Sequence, residues 1–252
     1  KRIQRLLKRL NVNTHKLKKI YEIYGDDYVV YSKESEEEKV ELRLPSEFKS
    51  LLKVPDGFNP TFKRVVEYAK QRNLTTEDIR RYNIGYCDGG HYAGRIIIPS
   101  YDSDNRINYF IARSVFPDES FKHKNPPVSK NVIMFENQIN WDEPITLVEG
   151  VFDAMAVKRN AIPILGKFIP KKLNENIYKK GVKSINIFLD EDAQGQALHY
   201  TMQFTNQGIK TKNIIPTGKD ASDMGFSEVN SKLKESKQTG FSDIISQKLK
   251  GL

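Results

Sequence analysis

The sequence predicts an α/β protein: a parallel four-stranded sheet flanked by helices, preceded by a smaller α+β subdomain and bounded by short helical termini. Three observations predict it. From Trp141 onward, short β-branched runs alternate with helical patterns, which implies right-handed parallel crossovers and a sheet covered on both faces. Upstream, two helical patterns precede two short strand patterns. Apolar residues at helical spacing also appear at both ends, outside these blocks.

The chain opens with a basic arm. Its first twenty residues carry eight Lys or Arg and no acid, nearly the whole of the net charge of +9. Ile3, Leu6, Leu7 and Leu10 give it a helical apolar face, which suits nucleic acid, a membrane surface or a partner protein, and equally a solubilising tail. Ser32 to Lys39 is acidic, has no apolar member and reads as a solvated linker, so 1–44 stands as an arm and linker. The α+β subdomain is expected over 45–139. In it Phe62 to Leu74 reads as a helix, a capped second helix starts at Thr75-Thr76-Glu77-Asp78, and Arg95–Pro99 and Tyr109–Ser114 read as strands.

The regular half is expected over 140–225. Its strands are Ile145–Glu149, Ala161–Leu165, Ser184–Asp190 and Thr211–Ile215. Helices at Phe152–Arg159, Lys172–Tyr178 and Gly195–Thr205 lie between them. Beyond it, 226–252 holds two helical patterns, one on Phe226, Val229 and Leu233, the other on Phe241, Ile244, Ile245 and Leu249. The single cysteine, Cys87, excludes an internal disulfide and a cysteine-based zinc site, and fits a reducing cytoplasmic setting. No apolar run approaches the roughly 18 residues that span a bilayer. The first residue is lysine, which suggests a fragment or a processed product.

In parallel sheets, ligands collect at the carboxyl ends of the strands. Glu149 and Asp190 fall at such ends, with Asp192 two residues on. If that stretch stays extended, Asp190 and Asp192 point to one side about 6.5 Å apart. Asp153 lies one helical turn after Glu149, and Asp220 and Asp223 follow the fourth strand, with Ser222 between them as a helix cap. Acids gathered at one edge repel unless cations neutralise them, and all-oxygen sites suit Mg²⁺ or Mn²⁺. The chemistry expected is metal-assisted phosphoryl transfer.

Glu149-Gly-Val-Phe-Asp153, Leu189-Asp-Glu-Asp-Ala-Gln-Gly195 and Lys219-Asp-Ala-Ser-Asp223 resemble the three acidic motifs of the TOPRIM domain in DnaG-type, bacteriophage-like primases. Gly94-Arg-Ile-Ile-Ile-Pro99, Ile111-Ala-Arg-Ser114 and Phe121-Lys-His-Lys-Asn-Pro-Pro127 are similar to the basic motifs of the primase core, with Asp102 to Arg106 at the place of a hairpin turn. The resemblance implies a TOPRIM-type sheet and primer synthesis on single-stranded DNA from NTPs, with a replicative helicase as partner in a bacterial cell. It makes Glu149 the essential acid, Asp190 and Asp192 the principal metal ligands, and Asp153 and Asp220 their support. Arg95, Arg113, Lys122, Lys124, Asn125 and Lys167 would hold template or nucleotide phosphates. The amino-terminal zinc ribbon usual in these primases has no counterpart here: either the fragment begins after it or the protein does without it, and the non-methionine start favours truncation. Gln194 stands where a small residue is usual. Two rival readings are a TOPRIM nuclease or topoisomerase fragment and a non-catalytic helicase-associated module.

Overall fold

Two four-stranded sheets carry the fold of the computed structural model, which describes residues 42–166, 168–216, 220–240 and 243. The basic arm, the acidic linker, Lys167 and the expected helix on Phe241 to Leu249 lie outside the described residues.

The first sheet is antiparallel, in the order β1 (Phe48–Ser50), β2 (Gly85–Cys87), β3 (Arg95–Tyr101), β4 (Ile107–Ser114). Neither β1 nor β2 was legible beforehand, because three residues show no periodicity. Gly85 permits their pairing: a Cβ there would lie 2.3 Å from the carbonyl oxygen of Lys49. Between β1 and β2 run α1 (Pro60–Gln71) and α2 (Thr76–Arg81). Asn59 caps α1 by accepting from Phe62 N–H at 2.8 Å, with proline at the first helical position. The expected cap of α2 is a full capping box. Thr75 Oγ1 accepts from Asp78 N–H at 3.2 Å, and Asp78 Oδ2 accepts from Thr75 N–H at 2.9 Å. The β3–β4 hairpin closes where the sequence places it, on Asp102, whose Oδ1 accepts the amides of Asp104 and Arg106, both at 2.9 Å.

The second sheet is wholly parallel and follows the expected alternation. It comprises β5 (Ile145–Val148), β6 (Ala161–Pro163), β7 (Ser184–Phe188) and β8 (Lys210–Asn213), in the order β6-β5-β7-β8. The connecting helices are α3 (Val151–Val157), α4 (Lys171–Lys179) and α5 (Gln194–Asn206), and α6 (Ala221–Glu235) follows β8. On one face, Ile145, Leu147, Ile185 and Ile187 pack with Leu173, Ile177, Ala197 and Phe204. On the other, Val148 and Phe188 join Met155 and Val229 in a cluster that continues into Ile96, Ile98 and Ile111 of the first sheet. That shared core fixes the strand ends of the second sheet against the first, within one compact unit from Leu42 onward.

Candidate metal centre

Glu149 and Asp190 leave the carboxyl ends of neighbouring strands, since β5 pairs directly with β7 and Val148 stands opposite Phe188. After Asp190 the chain does not stay extended. Glu191–Ala193 forms a single 3₁₀ turn, closed by Ala193 N–H donating to the Asp190 carbonyl at 3.0 Å. The turn, and not strand alternation, delivers Asp192. One carboxylate oxygen from each of Glu149, Asp190 and Asp192 lies within 4.8 Å of the other two. Glu149 and Asp190 are half-buried and Asp192 is exposed, so the group opens to solvent on one side.

Crowding of like charges has a measurable signature. The Asp190 carboxyl is pushed up to about 7, first by burial and then by the charges of Asp153, Glu149, Asp220 and Asp192. Three convergent carboxylates fit a hard divalent cation, which takes oxygen ligands and relieves this repulsion.

Asp153 and Asp220 stand differently from the central three. Asp153 is buried, and both its oxygens accept backbone amides: Oδ2 from Gly150 at 2.9 Å, Oδ1 from Ser222 at 3.0 Å. Burial raises its carboxyl, while these two hydrogen bonds hold it down. It caps α3 and ties that helix to α6. Gly150 leaves just enough room, for a Cβ there would stand 3.0 Å from Asp153 Oδ2. Asp220 stands at the N-cap position of α6 without a side-chain capping hydrogen bond, and raises Asp190 through its charge. Ser222, expected as the cap, lies inside the helix and offers its N–H to Asp153 instead. Asp223 faces away, 3.7 Å from Arg72. Gln194, the first residue of α5, donates through Nε2 to the carbonyls of Leu189 at 3.0 Å and Asp190 at 3.3 Å.

The basic residues divide into two groups. Arg113, Lys122 and Lys124 lie along the outer edge of the first sheet. Residues 122–124 pair with β4 there: Ser114 N–H donates to Lys122 O at 2.8 Å and Lys124 N–H to Ala112 O at 2.9 Å. The Arg113 guanidinium lies 6.0 Å from the centroid of the Phe152 ring on α3, and 3.1 Å from His123 Nε2. Burial and the neighbouring cations Arg113, Lys130 and Lys122 keep the His123 imidazole below its usual range. Phe152 passes in the sequence for a core residue, but its ring carries Arg72 at 5.3 Å as well. Apolar periodicity conceals such a role.

Arg95 and Asn125 make internal hydrogen bonds. Arg95 is only 5% exposed, and its guanidinium donates to the carbonyls of Ala93 at 3.0 Å and Phe121 at 2.9 Å. Asn125 Oδ1 accepts from Ala112 N–H at 3.2 Å. Both shape the strip that carries the exposed lysines.

No protein-family profile matches the chain. A curated DNA primase of Thermotoga maritima is 26% identical over 223 residues, covering 77% of this chain and 39% of its own length. The chain thus spans well under half of that relative. The Aquifex aeolicus primase, solved with its zinc-binding and RNA polymerase domains, superposes with a TM-score of 0.62 at 20% identity, over 75% of this chain and 58% of that one. A DnaG primase catalytic domain solved with single-stranded DNA gives 0.61 at 17% identity, over 76% of both chains. Sequence and fold together show homology to the DnaG-type primase catalytic core.

Proposed function

We propose that this chain performs primer synthesis in DNA replication: transfer of nucleotides from NTPs to a growing 3′-hydroxyl, directed by single-stranded DNA. One observation carries the reading, the approach of the Glu149, Asp190 and Asp192 carboxylates to within 4.8 Å at neighbouring strand ends. The likeness to a curated DNA primase supports the reaction class, and the DnaG domain solved with single-stranded DNA supports the template.

A bound Mg²⁺ or Mn²⁺ supplies neutralisation of the transferring phosphoryl group and a lowered pKa for the attacking hydroxyl. The chain's own residues position and complement. Asp190 and Asp192 are the principal ligands in this reading, and Glu149 is the third ligand or the base that takes the hydroxyl proton. Asp153 holds α3 and α6 in place behind them, and Asp220 adds negative charge at the head of α6. Arg113, backed by the Phe152 ring, offers a planar fork to phosphate oxygens, and Lys122 and Lys124 follow the template backbone. Lys167 is assigned to the incoming nucleotide's phosphates. Arg95 and Asn125 act at one remove, by fixing the strip. The setting is a bacterial cytoplasm with a replicative helicase as partner, in keeping with the bacterial sources of the relatives. Among the described residues, no helix is long and apolar enough to cross a membrane.

The test is incubation with a single-stranded template, NTPs and Mg²⁺ or Mn²⁺, beside a Glu149→Gln control. Labelled oligoribonucleotides that vanish in the control support primer synthesis. A shortened template would instead mark a nuclease, and binding without product an accessory module.

A further inference from the structure

We propose that Gln194 is a positioning residue for the carboxylate centre, acting through the backbone of the loop that carries Asp190 and Asp192. The inference rests on the reading above only in assigning those acids to a divalent ion.

The loop has two anchors. Ala193 N–H donates to the Asp190 carbonyl at 3.0 Å from within the turn. Gln194 Nε2 reaches back to the same carbonyl at 3.3 Å and to the Leu189 carbonyl at 3.0 Å. Its Oε1 accepts from Asn213 Nδ2 at 3.5 Å, at the end of β8. One neutral side chain therefore links the exit of β7, the start of α5 and the exit of β8.

The Asp190 backbone sits at φ −60° and ψ 163°, and its ψ sets the direction in which the 3₁₀ turn departs. The turn in turn sets where Asp192 lies. The carboxylates gathered on this loop repel one another, which favours its opening where no cation neutralises them. An amide resists that opening by hydrogen bonding alone. A carboxylate at position 194 would add to the repulsion, and a lysine would pair with the acids and compete with the ion.

Gln194→Met keeps length and helix propensity while removing both donor and acceptor. Mn²⁺ affinity, read from the EPR signal of the free ion, is expected to weaken about tenfold, as for other groups that orient metal ligands from behind. The metal-free melting temperature falls by a few degrees at most, the cost of the lost hydrogen bonds, and metal-free affinity for a single-stranded oligonucleotide stays near wild type. Primer synthesis falls at limiting Mn²⁺ and recovers at saturating Mn²⁺, a recovery that general damage to the fold would not give. Should Gln194→Met fail to fold, Gln194→Asn serves: its amide is one methylene short of both carbonyls, and a threefold or greater loss of Mn²⁺ affinity is expected. Mn²⁺ affinity within twofold of wild type in the variant that folds overturns the role of Gln194. A wild-type protein that binds no Mn²⁺ overturns the functional reading itself.

Discussion

Asp190 shows how far a single carboxyl can report on a centre. Its folded-state pKa of about 7 lies above the ordinary 3.8, so the native state binds the proton more tightly than the unfolded chain does. That contribution to stability is full below about pH 3.8 and is lost as pH rises toward 7. Metal-free protein melted in chelator should therefore gain stability from pH 8 to pH 6. In Asp190→Asn the gain should shrink, with a melting temperature at pH 8 above wild type and no rise on adding Mn²⁺. Unchanged pH dependence in this variant would contradict the crowding. Among the basic residues, Lys122→Ala should reduce the salt dependence of single-stranded DNA binding by about one contact, read as a shallower slope of log K against log salt. Arg95→Ala should act on the fold, since it removes a buried guanidinium that donates to two loop carbonyls. A loss of roughly 1–3 kcal/mol is expected, or about 2–4 °C of melting temperature per kcal/mol. The convergence of the central acids was legible in the sequence because strand periodicity located the sheet and the strand-end rule located its acidic edge. Arg95 was not, because an arginine beginning a strand has the same sequence pattern whether it faces solvent or a carbonyl.

At the level of elements, long periodic segments were readable and short or irregular ones were not. The four parallel strands and their helices announced themselves through repeated β-branched runs between apolar helical faces. By contrast, the 3₁₀ turn at Glu191–Ala193 depends on two hydrogen bonds to one carbonyl, which no propensity encodes. The form of α6 was hidden for a different reason. Gly225 interrupts it at φ 74° and ψ 170°, and the helix resumes beyond, carrying Val229 into the core. A sequence pattern registers a weak helix there, not a kinked one. Only glycine occupies that conformation without strain, and a Cβ would meet nothing closer than 3.8 Å, so Gly225→Ala isolates the backbone term. A destabilisation of about 1–3 kcal/mol is expected in chemical denaturation. A loss much larger than this would mean that the kink itself positions the centre.

For the whole molecule, the decisive feature is the core cluster shared by the two sheets. Ile96, Ile98 and Ile111 from the antiparallel sheet and Val148, Phe188 and Met155 from the parallel half bury one another. Boundaries near 45, 140 and 225 suit the change in pattern along the chain, and this cluster has members on both sides of 140 and of 225. Calorimetry on the intact chain should give one cooperative transition for the two halves, and a fragment covering 140–225 alone should bind a hydrophobic dye and aggregate. Two separate transitions would show that the halves fold independently. The amide that Ser222 donates to Asp153 spans 69 positions of sequence. During synthesis on the ribosome, the buried Asp153 carboxylate thus waits for a donor that emerges 69 positions later before its second oxygen is satisfied. A nascent polypeptide that stops short of Ser222 lacks that closing stitch, and its α3 is left untied to α6.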